Sequence, residues 1–138
     1  MMKINEFIKD NLKVKYPADE YSSLKLKDMM TTSRLPHIVC ADGFSMSVQV
    51  GYSLYSTPKK IAKRYSAVEI GYPSEPEELI KEWAEFAPFD EDEVPDYTDT
   101  VYPYVPVGVV DKVLKKHGGI DLAETLRRSE GLPEEVAS

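Results

Sequence analysis

From Phe44 to Tyr55 apolar and polar or small positions alternate: Phe44, Met46, Val48, Val50, Tyr52 and Leu54 against Ser45, Ser47, Gln49, Gly51, Ser53 and Tyr55. A period of two predicts a half-buried antiparallel strand over 44–54, one face on the core and the other polar, bent at Gly51. Asp42-Gly43, just before it, is the strongest two-residue hairpin signal, and Leu35–Ala41 reads as the preceding short strand. A third strand over Tyr65–Tyr72 places Val68, Ile70 and Tyr72 on one face.

Helical periods fill the rest. Ile4, Phe7, Ile8 and Leu12 predict an amphipathic helix from Lys3 to Lys13. A second helix starts near Ser22 or Ser23 and carries Leu26, Met29 and Met30 inward. Ser74-Glu75-Pro76-Glu77 reads as a capping box, with Ser74 at the N-cap and Glu77 three residues on. It heads a helix over 75–87 with Leu79, Ile80, Trp83, Ala84 and Ala87 on one stripe.

Residues 100–120 form the organising unit, an edge strand or extended arm that turns into a Val-rich helix at Pro106. Proline suits the first helical position because its missing N–H costs nothing there. Val109, Val110, Val113, Leu114 and His117 share an apolar stripe, Lys115 and Lys116 suit the carbonyl end of the helix, and Gly118-Gly119 ends it. β-branched residues are poor helix formers, so this helix requires burial of its stripe. Leu122, Thr125 and Leu126 predict a short last helix with Asp121 near its start, and 130–138 a frayed tail.

The expectation is one α+β domain over 1–138: a helical amino-terminal part (1–34), an α+β core (35–120), and a short helix with tail (121–138). The core is an antiparallel meander of three or four strands, with the 75–87 and 106–117 helices packed on one face. The amino-terminal helices lie at an edge or form a partner-facing arm. No run approaches a membrane span, and the charged amino terminus lacks a signal peptide's apolar core. Cys40 is the only cysteine, so no internal disulfide forms, and a cytoplasmic setting is the simplest reading.

Charge sharpens the picture. Residues 1–65 carry net +5 and residues 66–138 net −12, giving the total of −7. Eight acids and no Lys or Arg lie between Glu82 and Asp99. Asp90, Glu91, Asp92, Glu93, Asp96 and Asp99, with Tyr102 and Tyr104, are the candidate partner-binding residues, since dense carboxylates and amphipathic tyrosines suit a basic protein surface. Lys59, Lys60, Lys63 and Arg64 form a basic loop able to touch phosphates.

Candidates for covalent chemistry are sparse. His37 and Cys40 lie three apart on a strand and point to opposite faces, so they make no local dyad. Cys40 reads as a small buried hydrophobe, and His117 as a packing or carbonyl-capping histidine. Two histidines and one cysteine make a poor zinc set, and the acidic run lacks an EF-hand's glycine and spacing. No phosphate loop, dinucleotide fingerprint or nucleophile elbow is present, so no cofactor or metal is expected.

Three blocks, IVCADGFSMSVQ (38–49), AVEIGYPSEPEE (67–78) and TVYPYVPVGVVDKVLKKHGGI (100–120), resemble a family of small uncharacterised proteins encoded by phages and prophages of bacteria. No functional residue travels with the resemblance; it implies a phage-borne accessory role acting on host machinery. With the small size and acidic second half, the leading expectation is a non-catalytic interaction protein. Its partner would be a host protein with a basic surface, with no direct binding of nucleic acid expected, and its role inhibition of a host nucleic-acid-targeting defence system, as anti-CRISPR proteins do. The alternatives are a small enzyme using Cys40, His117 or acids of the 90–99 loop, and a nucleic-acid-binding accessory protein using Lys59–Arg64.

Overall fold

In the computed structural model, residues 1–15, 31–32, 34–85 and 95–130 are described. The chain is α+β. Helix α1 spans Ile4–Asn11, and strands β1 (Val14–Lys15) and β2 (Thr31–Thr32) pair as a small antiparallel ladder. Strands β3 (Ile38–Val39), β4 (Ser45–Gln49), β5 (Ala67–Gly71) and β6 (Val101–Pro106) form an antiparallel meander in chain order. A 3-10 helix over Glu78–Trp83 precedes β6, and α2 (Val107–Lys116) and α3 (Leu122–Ser129) follow it. The amino-terminal part is therefore not wholly helical. The helix expected from Ser22 or Ser23 lies outside the described residues, as do residues 86–94 and 131–138.

Alternation in β4 creates the core. Met46 lies opposite Ile38, Val48 opposite Ile70, and Ile70 opposite Tyr102, so these side chains share one face of the sheet. They join one buried cluster with Ile4, Phe7 and Ile8 of α1 and Val110, Val113 and Leu114 of α2. Of the stripe expected on α2, Val110, Val113, Leu114 and His117 are buried, while Val109 is only half-buried. The free backbone N–H of Ile4 at the start of α1 donates to Asp111 Oδ1 on α2 at 2.8 Å, which satisfies one orphan donor and docks the two helices.

The polar face of β4 is covered too. Ser47 and Gln49 are buried, contrary to the expectation of an open face. Gln49 imitates a strand partner for Leu35: its Oε1 accepts the Leu35 N–H at 2.8 Å, and its Nε2 donates to the Leu35 carbonyl at 3.1 Å. The free edge of β3 is closed by the start of α3. Asp121 N–H donates to Val39 O, and Val39 N–H to the buried Thr125 Oγ1, each an edge group that water or another chain would otherwise take.

Several boundaries move for physical reasons. The β3–β4 turn has three residues, Ala41–Gly43: Cys40 N–H donates to Phe44 O, Gly43 N–H to Cys40 O, and Gly43 alone takes positive φ (94°). A two-residue Asp-Gly turn would have needed Asp42 left-handed as well. β4 stops before Gly51 (φ 140°), so Tyr52 and Leu54 leave the strand, and Tyr52 is exposed. Tyr72 adopts φ 49° and turns outward, off the face of Val68 and Ile70.

The 75–87 helix shrinks to the six-residue 3-10 turn. Ser74 is not its cap, because Ser74 continues the sheet beside Ser45: Ser74 N–H donates to Ser45 O, and Ser45 N–H to Ser74 Oγ. Glu77 caps the turn instead, accepting from Leu79 N–H at 3.0 Å. At the other end Glu85 already bridges to Val101. Only Ile80 of this turn is fully buried, while Leu79 is exposed. Among the described residues no helix is long and apolar enough to cross a membrane.

Candidate functional site

Helix α2 carries charge at both ends, and the two ends are built differently. At its carboxyl end Gly118 and Gly119 both take positive φ, 87° and 90°. Gly119 N–H donates to Leu114 O and Gly118 N–H to Lys115 O, a paired closure of the last turn that needs a left-handed residue. A Cβ on Gly118 would stand 3.0 Å from Ala41 Cβ, so the position also needs glycine to let the hairpin approach. That approach brings Asp42 to His117.

His117 is nearly fully buried, yet both ring nitrogens meet carboxylates at 2.6 Å: Nδ1 faces Asp42 Oδ2, and Nε2 faces Glu77 Oε1. An ionised carboxylate only accepts hydrogen bonds, so both nitrogens donate and the ring is an imidazolium. Burial opposes that charge, but the bonds to Glu77 and Asp42 outweigh it and raise the pKa above its ordinary value. The carbonyl end of α2 favours the same charge. Phe44 stacks on the ring, centroids 4.0 Å apart and planes 10° off parallel.

Glu77 is almost wholly buried, and both its oxygens are engaged. Its Oε1 accepts from His117, and its Oε2 from Leu79 N–H and from Lys116 Nζ at 2.9 Å. Burial would raise its pKa, but the Leu79 N–H, Lys116 and His117 more than compensate and lower it. Asp42 is held low by the Phe44 N–H, at 2.9 Å from Oδ1, and by His117. No buried side-chain N or O atom among the described residues lacks a hydrogen bond. The cluster thus fastens hairpin, 3-10 turn and α2 together, with no imidazole lone pair left to take a proton.

Neither Asp42 nor Glu77 was legible as a partner of His117. They stand 75 and 40 residues away, and locally each reads as something else, a turn residue and a capping-box acid. The one available signal was a histidine on a buried stripe, which needs polar partners from somewhere.

Cys40 is buried in the core, and its thiol is pushed up to about 11 by burial and then by the Asp42 carboxylate. It makes no hydrogen bond or ion pair with His117 among the described residues. A thiol in that state is a poor nucleophile. Among the described residues no group of three His, Cys, Asp or Glu side chains is placed to hold a metal ion.

Of the candidate partner-binding residues, Asp90, Glu91, Asp92 and Glu93 lie outside the described residues. Asp96 and Asp99 are exposed, in a turn that Asp96 organises by accepting from Thr98 Oγ1 (2.6 Å) and Thr98 N–H (2.9 Å). This turn rests on the 3-10 helix: Lys81 Nζ lies 4.9 Å from the Tyr97 ring centre, and Thr100 Oγ1 donates to Glu85 O. Glu75, Glu78, Glu82 and Glu85 are exposed on that helix and its flanks. Tyr102 must be withdrawn as a contact residue. It faces Ile70 across the sheet, is fully buried, and donates its hydroxyl to Tyr97 O. Tyr104 is exposed, with φ 54°.

The chain matches no family model, no curated protein and no solved structure. Any functional reading therefore rests on the chemistry of these surfaces.

Proposed function

We propose that this protein is a non-catalytic interaction protein that docks its acidic end onto a basic surface of another protein. The observation that carries this reading is the convergence of exposed carboxylates from two separate segments. Glu75, Glu78, Glu82 and Glu85 come from the 3-10 helix and its flanks, Asp96 and Asp99 from the turn resting on it. The cations beside them among the described residues are already paired, Lys81 with Glu78 at 2.6 Å and Lys116 with Glu77 at 2.9 Å. A one-sign surface of this kind steers association with an oppositely charged partner and selects against acidic ones.

The partner class that fits is a protein with a basic groove, such as one that handles nucleic acid. With the phage-like blocks, this makes inhibition of a bacterial host's nucleic-acid-targeting defence the role to test, in the host cytoplasm. Chemistry at His117 or Cys40 is disfavoured by the saturated imidazole and the buried, raised thiol. The test is capture of host proteins on the immobilised chain, compared with a Glu78→Lys, Glu82→Lys, Asp96→Lys, Asp99→Lys variant. A basic partner retained by the parent, lost in the variant and eluted by salt supports the proposal. Equal retention by both proteins at low and high salt overturns it.

A further inference from the structure

The amino end of α2 is built from pieces that the sequence keeps far apart. Val107 N–H donates to Ser66 O, Tyr104 N–H to Tyr55 O, and Ser66 N–H to Thr57 O, so the 55–66 loop is stitched to the end of β6. Asn5 of α1 exchanges two hydrogen bonds with the Tyr65 backbone, at 2.9 and 3.1 Å. These ties open a cleft of about 690 Å³ between α1, the loop and the first turn of α2. Lys3, Lys9, Lys63 and Arg64 line it against two carboxylates, Glu6 and Asp111, and Asp111 already accepts the Ile4 N–H. All four cations are exposed, and none makes an ion pair among the described residues.

The loop and strand joined by these hydrogen bonds also carry two exposed aromatic rings. Tyr55 and Tyr104 lie 5.7 Å apart at 54°, and Lys59 Nζ sits 5.2 Å from one ring centre and 6.0 Å from the other. Tyr104 is held at φ 54°, a left-handed conformation costly for an aromatic residue, and the ring it presents is not buried. The combination is exposed cations to follow a phosphate backbone and exposed aromatic faces on the loop and strand beside Lys59.

We propose that this end of the molecule binds single-stranded nucleic acid, with bases stacking on Tyr55 and Tyr104 and phosphates held by Lys59, Lys63 and Arg64. Exposed rings admit unstacked bases, which a duplex does not offer, and stacking tolerates any sequence because every base has a π-face. The protein's net charge of −7 does not forbid this. The exposed acids described above sit around the other end of β6, and screening at physiological ionic strength confines their field to about 8–10 Å. The inference is independent of the acidic docking surface, and a purified chain suffices to test it.

The experiment is fluorescence anisotropy with a labelled oligothymidylate of about 12 nucleotides, within the range of single-strand site sizes. An abasic phosphodiester oligomer and a duplex of equal length serve as competitors, at about 50 and 200 mM salt. Binding should weaken with salt, and both competitors should displace the oligonucleotide poorly. Tyr55→Ala and Tyr104→Gly should each lower affinity about 5-fold or more. Glycine adopts the Tyr104 backbone conformation freely, so Tyr104→Gly removes the ring without endangering the fold. Lys63→Ala and Arg64→Ala should each flatten the salt dependence by about 0.7 of a log–log slope unit. Lys115→Ala, which removes an exposed cation at the carboxyl end of α2, should change nothing. The proposal is overturned by absence of binding at 50 mM salt, by an abasic oligomer or duplex competing as well as the single strand, or by tyrosine variants that bind like the parent.

Discussion

The two ends of α2 hold similar numbers of charged side chains under opposite physical regimes. At the carboxyl end His117 and Glu77 are buried, and both ring nitrogens and both carboxylate oxygens are engaged. At the amino end Lys3, Lys9, Lys63 and Arg64 are exposed, and no ion pair engages them among the described residues. The difference follows from desolvation. A charge removed from water must be paired where it stands, whereas a charge left in water costs little and remains available. The buried cluster therefore belongs to the fold, and the open one is where recognition can occur. A histidine among carboxylates looks more like chemistry than four surface cations do, yet here the hydrogen-bond inventory assigns the roles the other way.

The largest effect that tests this contrast is at Glu77. Glu77→Ala leaves His117 buried with one partner fewer and should cost about 3–5 kcal/mol in urea denaturation. Replacing both groups with apolar side chains of similar size, Glu77→Leu with His117→Phe, should recover most of that loss. A Glu77→Ala protein as stable as the parent would show that the cluster is not part of the fold's support.

Stability should also depend on pH with a definite sign. His117 has a raised pKa, so its contribution is complete below the ordinary value of 6.5 and fades as pH climbs through the raised one. Glu77 and Asp42 have lowered values, so theirs is complete above their ordinary 4.5 and 3.8 and fades on acidification. The urea midpoint should be highest between about pH 5 and 6.5 and fall towards pH 9. His117→Phe should flatten the alkaline limb, and an equally steep limb in that variant would assign it elsewhere.

Two glycines of the same region should respond with opposite signs. Gly118→Ala meets both a φ of 87° and the Ala41 side chain, and should destabilise by about 1–2 kcal/mol. Gly108, in the first turn of α2, has open space around it and no positive φ, so Gly108→Ala should stabilise by about 0.4–1 kcal/mol. A thermal-melt comparison of the two single variants checks this. The smallest effect belongs to the open end, where Lys63→Ala with Arg64→Ala should leave stability within about 0.5 kcal/mol, and a larger loss would mean that these cations support the fold.

Local pattern determined a good deal of this protein. Alternation at 44–54, helical spacing at 4–12 and 106–117, and the closing glycines are properties of near neighbours, so α1, the α+β class, β4 as far as Gln49, and the β6–α2 unit could be read directly, although Pro106 ends β6 and caps α2 instead of being its first helical residue. Asp121 at the start of the last helix was legible for the same reason, and it accepts from Glu124 N–H. Where the reading failed, a distant partner had overruled a local preference. Ser74 gave up its cap to pair with Ser45, Glu85 ended the 3-10 turn by joining Val101, and Tyr102 went inward opposite Ile70. The His117 cluster and the Tyr55–Tyr104–Lys59 group have no sequence signature, because His117 lies 40 and 75 residues from Glu77 and Asp42, and Tyr104 lies 45 and 49 residues from Lys59 and Tyr55. Propensity and periodicity act over a few residues, and they set which segments could be helix or strand and which faces had to be buried. Which charges were then sealed and which left open was decided only when the tertiary fold removed water from one end of α2 and not from the other.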